Sequence, residues 1–168
     1  EYYTPQHVAA GMWDMMKAYG ADTGNTLEPS AGTGIFHEMK PKGVIMTATE
    51  ISDVSGEINQ LLHPEDRVRI SPFELLARNS RDDSFDSVIG NIPFGASRGK
   101  FAYLDRDYQN EKNMGAYFIL RTLDKLKPGG LSCLIVPFGM TSGKDYVKLR
   151  ERVSRRAEFL GAHRLPSG

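Results

Sequence analysis

Leu27-Glu28-Pro29-Ser30-Ala31-Gly32-Thr33-Gly34 is the stretch whose reading decides the fold. The residues ahead of the turn predict a short strand, Asn25 to Glu28. Small residues and two glycines then predict a tight turn, with a helix starting near Ile35. Gly32 and Gly34 carry no Cβ, so the backbone there tolerates positive φ and lets a ligand come close. The helix start behind the turn offers N–H groups with no intrahelical partner. Strand, glycine loop and helix in this order suit nucleotides, dinucleotides and S-adenosylmethionine alike. A dinucleotide fingerprint needs a further glycine where this chain has His37. Glu28 at the strand end would repel a pyrophosphate but accept a hydrogen bond from an ammonium group. Together these favour a ligand with an amino-acid end, held by Glu28, Pro29, Ser30, Ala31, Gly32 and Gly34.

Upstream, Tyr2-Tyr3-Thr4-Pro5 predicts a helix start, with Thr4 as N-cap and Pro5 in the first helical position. Val8, Met12, Met15, Met16 and Tyr19 give an apolar face at helical spacing, and Gly20 ends it. Such a terminus can aim backbone N–H groups at a carboxylate, which makes Tyr3, Thr4 and Pro5 candidate ligand contacts. Downstream, a short helix from Ile35 to Met39 is ended by Pro41. Gly43 to Thr49 is a second strand closed by Glu50-Ile51. An acidic residue about 20 positions after a glycine loop is where Rossmann-type sites hold ribose hydroxyls. Ile51 beside it offers an apolar face to adenine. Ser52 or Asp53 caps a helix from Val54 to Leu62. Arg67 to Ser71 is a third strand, and Pro72, Phe73 and Glu74 leave its carboxyl end.

Asp86 to Gly90 predicts a fourth strand running straight into Asn91-Ile92-Pro93-Phe94. Asn91 presents an amide at a strand end, Pro93 has a fixed φ, and Phe94 offers a flat face for stacking. A planar group stacked on Phe94 would bring an exocyclic amine to Asn91. Gly95 to Asn110 has no clean period and reads as a long loop, functional or mobile. Its Arg98, Lys100, Phe101, Tyr103, Arg106 and Tyr108 suit base stacking and phosphate contact, although Asp105, Asp107 and Glu111 cancel much of the charge. Met114 to Leu126 is a helix and Lys127 to Gly130 a sharp turn. Leu131 to Pro137 reads as a central parallel strand, because it is continuously apolar. Lys144 to Ser154 is a helix with a basic, solvated face, and Glu158 to Leu165 a last short strand before Pro166-Ser167-Gly168. Strands alternating with helices predict one α/β domain over residues 1–168, doubly wound around a mostly parallel sheet. Ligands in such sheets bind beyond the carboxyl ends of the strands, where every candidate above falls.

Composition narrows the classes. The chain has 168 residues, 40% apolar and 25% charged, enough for a real core. Lys+Arg and Asp+Glu are both 21, so the global charge footprint of a stand-alone nucleic-acid binder is missing. The single cysteine, Cys133, lies in an apolar run and reads as a buried hydrophobe; one cysteine suits a reducing compartment, the cytoplasm. No apolar stretch approaches ~18 residues, so no membrane span is expected. A start at Glu1 without Met reads as a piece of something longer.

Taken together, these motifs resemble the catalytic domain of S-adenosyl-L-methionine-dependent adenine-N6 DNA methyltransferases. The Tyr3-Thr4-Pro5 stretch is similar to the family's N-terminal motif for the methionine end of the cofactor, and Glu28 to Gly34 to its cofactor loop. Glu50-Ile51 match its ribose and adenine position, Phe73 its third-strand motif, and Asn91-Ile92-Pro93-Phe94 its catalytic Asn-Pro-Pro-Phe/Tyr. The order of motifs is that of the class whose target-recognition domain lies C-terminal. The chain is also similar to methyltransferase segments of large methyltransferase–helicase polypeptides of mobile elements. The resemblance implies a Rossmann-like methyltransferase fold lacking its last antiparallel strand, no metal, and DNA as partner through regions outside the chain. Pro72 stands where the family often has an acidic residue for the cofactor's adenine amine, leaving that bond to Glu74 or a backbone carbonyl. Ile92 replaces the first catalytic proline but keeps the carbonyl through which that proline acts. Asn-Ile-Pro-Phe also resembles the rRNA adenine dimethyltransferases, which leaves RNA open as a substrate. A non-catalytic cofactor-binding module of a larger DNA-processing protein is the other alternative.

Overall fold

The structure, a computed structural model, describes residues 3–95 and 97–165. Five strands form one sheet: β1 (Thr23–Glu28), β2 (Gly43–Glu50), β3 (Arg67–Ile70), β4 (Phe85–Asn91) and β5 (Leu126–Ile135). Their order is β3-β2-β1-β4-β5, and every pairing is parallel. Helix α1 (Gln6–Ala18) precedes the sheet. The crossovers are α2 (Ile35–Glu38), α3 (Asp53–Leu62), α4 (Phe73–Asn79) and α5 (Met114–Lys125). Helices α6 (Phe138–Ser142) and α7 (Val147–Ser154) follow β5.

Both faces of the sheet are covered, so its strands are apolar on both sides. Successive strand residues point to opposite faces. Val88 accordingly joins Leu27, Phe73, Leu76 and Leu120 in one core, while Ile89 joins Met12, Met16, Phe36 and Met46 in the other. Each such side chain contributes about 1.5–3 kcal/mol by leaving water. Trp13 of α1 is 3% exposed, and its indole N–H donates to the Phe36 carbonyl at 2.9 Å, which ties α1 to α2. The caps of α3 and α5 follow from local chemistry: the Ser52 hydroxyl accepts from Ser55 N–H, and the Asn113 side chain from Ala116 N–H.

Several elements differ from the sequence expectation. Helix α1 begins at Gln6 with Pro5 as its cap residue and no side-chain cap, one position later than expected. The Thr4 hydroxyl is engaged elsewhere, as shown below. Helix α4 is additional to the expected set; Pro72 at its start and Phe73, Leu76 and Ala77 on its buried side are the signals for it. Residues 97–110 are not an open loop but carry two 3-10 turns, Gly99–Leu104 and Arg106–Tyr108, with Ala102, Asp105 and Tyr108 buried. The expected Lys144–Ser154 helix divides into a 3-10 turn, Lys144–Tyr146, and α7. Lys127–Gly130 does turn, as a bulge within β5: Phe85 pairs with Leu126, and Ser87 already with Leu131.

At the far side, β5 is an edge strand rather than a central one, and its residues from Gly130 onward are only half-buried. Residues 157–165 form no strand, and Phe159 is 72% exposed. No strand lies beyond β5 among the described residues, so the backbone of 157–165 has no ladder to join there. Pro166, Ser167 and Gly168 lie outside the described residues.

Candidate active site

Strand order reverses between β1 and β4, which opens a crevice at their carboxyl ends. The glycine loop leaves β1 and Asn91 to Phe94 leave β4, so the two motifs emerge side by side from one edge of the sheet. The strand ends lie close: a Cβ built on Gly90 would be 3.4 Å from Pro29 Cδ and 3.5 Å from Glu28 Cγ. Thr4, Glu50 and Ile51 reach the same edge.

The loop is laced to β2. Ala31 N–H donates to the Thr49 carbonyl at 2.9 Å, and the Thr49 hydroxyl donates to the Pro29 carbonyl at 2.9 Å. Glu50 is 7% exposed; its Oε2 accepts from Gly32 N–H at 2.7 Å and its Oε1 from Ser52 N–H at 2.8 Å. Each oxygen keeps a second lone pair for a hydroxyl. Gly32 has φ +54° and faces open space, with nothing within 4 Å of where a Cβ would be. Gly34 has φ +96°, and a Cβ there would lie 2.6 Å from Asn59 Oδ1. Pro29 and Ala31 are buried, Ser30 is half-buried, and Ile51 is 56% exposed beside Glu50. Tyr3 is 59% exposed and Pro5 is exposed at the start of α1.

The amide of Asn91 is oriented by an unexpected partner. Its Nδ2 donates to the Thr4 hydroxyl at 3.3 Å, across 87 residues of chain. Its Oδ1 is buried with no hydrogen-bond partner among the described residues. A buried carbonyl oxygen without a donor is costly, on the order of 1–3 kcal/mol, so this atom is an acceptor in want of a ligand. Ile92 is 1% exposed and anchors in the core, Pro93 is half-buried, and Phe94 is 51% exposed. The tetrapeptide therefore has a fixed stem and an open aromatic end.

Other expected residues lie elsewhere. Phe73 is 2% exposed, its ring 5.2 Å from Phe118 and 5.9 Å from Tyr117, inside the core rather than open to the crevice. Glu74 does not face a ligand either: its Oε1 accepts from Arg98 Nε at 3.2 Å. Burial raises the Glu74 carboxyl above its usual range, against the pull of Arg98. Arg98 has no exposed side-chain surface; it lies 3.4 Å over the Tyr117 ring and donates to the carbonyls of Tyr108 and Glu111. The 97–110 segment is thus pinned to α4 and α5, and only part of its cation-aromatic pattern, with Lys100, Tyr103 and Arg106, remains exposed.

Glu28 is 1% exposed, and burial pushes its carboxyl up to about 7 against the nearby His37. His37, Asp66 and Lys40 complete a charged row behind it that sequence reading missed, because β2 and α3 separate its members along the chain. His63, Glu65 and Asp66 present ligand atoms within 4.8 Å of one another, with the Lys40 ammonium on both carboxylates.

The residues fit the polarity of S-adenosylmethionine: an open glycine turn, the acidic side chains Glu28 and Glu50, and an acceptor without a donor among the described residues. Residues 35–162 match the sequence profile of the Eco57I restriction-modification methylase. The whole chain is 63% identical to the "Defense against restriction protein B" of Escherichia phage P1, of which it spans 7%. Among solved structures, it aligns with a modification subunit assigned to a type I restriction enzyme of Vibrio vulnificus YJ016 (TM-score 0.70, 20% identity, 91% of this chain and 38% of that one). It also aligns with a type I restriction-modification methyltransferase subunit from Streptococcus thermophilus (TM-score 0.67, 20% identity, 92% and 39%). At such identity these two establish the Rossmann-like fold. Among the described residues no helix is long and apolar enough to cross a membrane.

Proposed function

We propose, from the premise that this chain belongs to the Eco57I restriction-modification methylase family, that it transfers a methyl group from S-adenosyl-L-methionine to the N6 amine of adenine in DNA. The observation that carries this reading is the Asn91 amide, whose nitrogen is committed to Thr4 and whose oxygen is a buried, unpartnered acceptor. An exocyclic amine is the kind of donor that oxygen lacks.

Tyr3, Thr4 and Pro5 at the start of α1 would hold the cofactor's carboxylate and Glu28 its ammonium. Glu50 would hold the ribose, Ile51 the adenine face, and Pro29 to Gly34 would line the turn, with Phe73 backing the pocket from the core. The cofactor supplies an electrophilic methyl group on a sulfonium. The chain does the rest by orientation. A target adenine, flipped out of its stack or taken from a single strand, stacks on Phe94. Asn91 Oδ1 and the Ile92 carbonyl accept the two N6 hydrogens, which directs the nitrogen lone pair outward. The sulfonium would leave as a neutral thioether and the methylated N6 would give up one proton to solvent, so catalysis would rest on positioning and placed dipoles, with no strong general base required.

The test compares wild type with Asn91→Ala, each carried in a polypeptide that supplies the DNA-gripping regions expected outside this chain. Transfer to N6 of adenine, followed by mass spectrometry of digested oligonucleotide, is expected to fall by about 10²-fold or more, as for loss of one preorganised dipole. Cofactor affinity by titration calorimetry is expected to hold. Undiminished transfer in the variant, or loss of both properties together, overturns the reading. Ile92 favours a second reading, a cofactor-binding module without transfer: an N–H and a free φ replace the rigid ring of the family's proline. Cofactor binding with no transfer to DNA or RNA, once the DNA-gripping regions expected outside this chain are supplied, would favour that alternative.

A further inference from the structure

Behind the glycine loop runs a row of buried charge that the transfer chemistry leaves unused. Glu28 closes β1, and His37 of α2, 2% exposed, stands beside it with Nε2 3.1 Å from Glu28 Oε2. The approach is off the hydrogen-bond line, so it is an ion-pair contact, and neither atom has an aligned partner among the described residues. His37 Nδ1 lies 2.9 Å from Asp66 Oδ2. Asp66 accepts from Met46 N–H on Oδ1 at 2.9 Å and from the Lys40 ammonium on Oδ2. Lys40 also donates to Glu65 Oε1 at 2.8 Å. Two further groups face the row: Glu50 from the end of β2, and the His63 ring, 5.3 Å from that of His37, after α3.

We propose that His37 is a positioning residue for the amino-acid end of the cofactor. Seated between Glu28 and Asp66, it favours the anionic form of Glu28 and engages one carboxylate oxygen, so that ligands bearing an α-ammonium group bind well through Glu28 only while His37 supports it. The inference rests on the reading of Glu28 as acceptor of the cofactor's ammonium.

The physical argument concerns the cost of burying charge. A fully buried carboxylate prefers to be neutral. Burial pushes Glu28 up to about 7 even with His37 opposing the rise. Burial also works against the charged form of His37, but the hydrogen bond to Asp66 and the ion-pair contact with Glu28 outweigh it and hold the imidazole up to about 9. Asp66, despite burial, is held down to about 2 by His37, Lys40 and the Met46 N–H. Near neutral pH His37 is therefore positive and Asp66 negative, while Glu28 is poised between its neutral and anionic forms. Without the imidazolium, Glu28 would stay protonated to higher pH and offer an ammonium no charge there. Asp66 cannot substitute, since it sits on the opposite side of the ring.

Titration calorimetry across pH tests this with two probes, S-adenosylmethionine and 5′-methylthioadenosine, which lacks the amino-acid end. In wild type, affinity for the first is expected to rise with pH through about 7, then fall as the ligand's own α-amine deprotonates near pH ~8. In His37→Gln the rising limb is expected to move up by at least about one unit, leaving affinity roughly tenfold weaker at neutral pH. Affinity for 5′-methylthioadenosine is expected to stay within about twofold throughout. Asp66→Asn, which preserves shape and the acceptor for Met46, is expected to shift the limb the same way by less. NMR titration of the His37 ring is expected to show it protonated at neutral pH. An unmoved limb in His37→Gln, equal loss for both probes, or a neutral His37 ring overturns the proposal. If wild type binds neither probe, or binds both without regard to pH, the cofactor reading of Glu28 fails, and the proposal with it.

Discussion

Gly32 and Gly34 sit two residues apart in one turn, yet the structure requires them for different reasons. At Gly34 an alanine methyl would strike Asn59 and His63 as well as adopt a left-handed φ. At Gly32 the methyl would meet only open space on the crevice side. Gly34→Ala is therefore expected to cost about 3 kcal/mol or more in stability by urea denaturation. Gly32→Ala is expected to cost about 1 kcal/mol, the left-handed penalty alone. Calorimetry is expected to show the reverse ranking for ligands: Gly32→Ala weakens cofactor binding by roughly tenfold, because the methyl fills space the ligand needs. Equal effects of the two on stability would remove the distinction. The sequence shows both residues as turn formers; which of them faces the crevice depends on Asn59, a helix away.

At the scale of elements, local chemistry is legible and long-range pairing is not. Apolar runs bounded by Gly and Pro locate β1 to β4 within a few residues, and the site motifs fall at their carboxyl ends as parallel topology demands. Thr4 reads as a helix cap, but its hydroxyl is taken by Asn91, 87 residues away. Arg98 reads as a surface cation because nothing nearby in sequence discloses Glu74 or Tyr117 as its companions. Phe73 reads as a ligand contact from its place after β3, whereas α4 turns it into the core. The Arg98 pin has a measurable weight. Arg98→Met leaves Glu74 buried without its cation and is expected to cost about 3–5 kcal/mol by urea denaturation. Adding Glu74→Leu is expected to restore part of that loss, because the stranded charge goes with it. If the double variant is no more stable than the single, the cost comes from lost packing over Tyr117 instead.

For the molecule as a whole, the sheet is bounded by two edge strands, β3 and β5. The outer margin of β5 presents backbone donors and acceptors along a half-buried apolar strand, a template for another strand. The isolated chain is expected to self-associate in sedimentation experiments as its concentration rises. Ser132→Lys, which puts a charge on that edge, is expected to reduce the association; sedimentation as a monomer at every concentration would show that the edge is covered by the chain itself. The fastening of α1 to α2 has a practical corollary. Trp13 is the sole indole of the chain, and it is clasped to the backbone of Phe36, just past the glycine turn. Its fluorescence is therefore a native optical reporter: emission from a dry, hydrogen-bonded ring, placed where occupancy of the turn can perturb it, without any label.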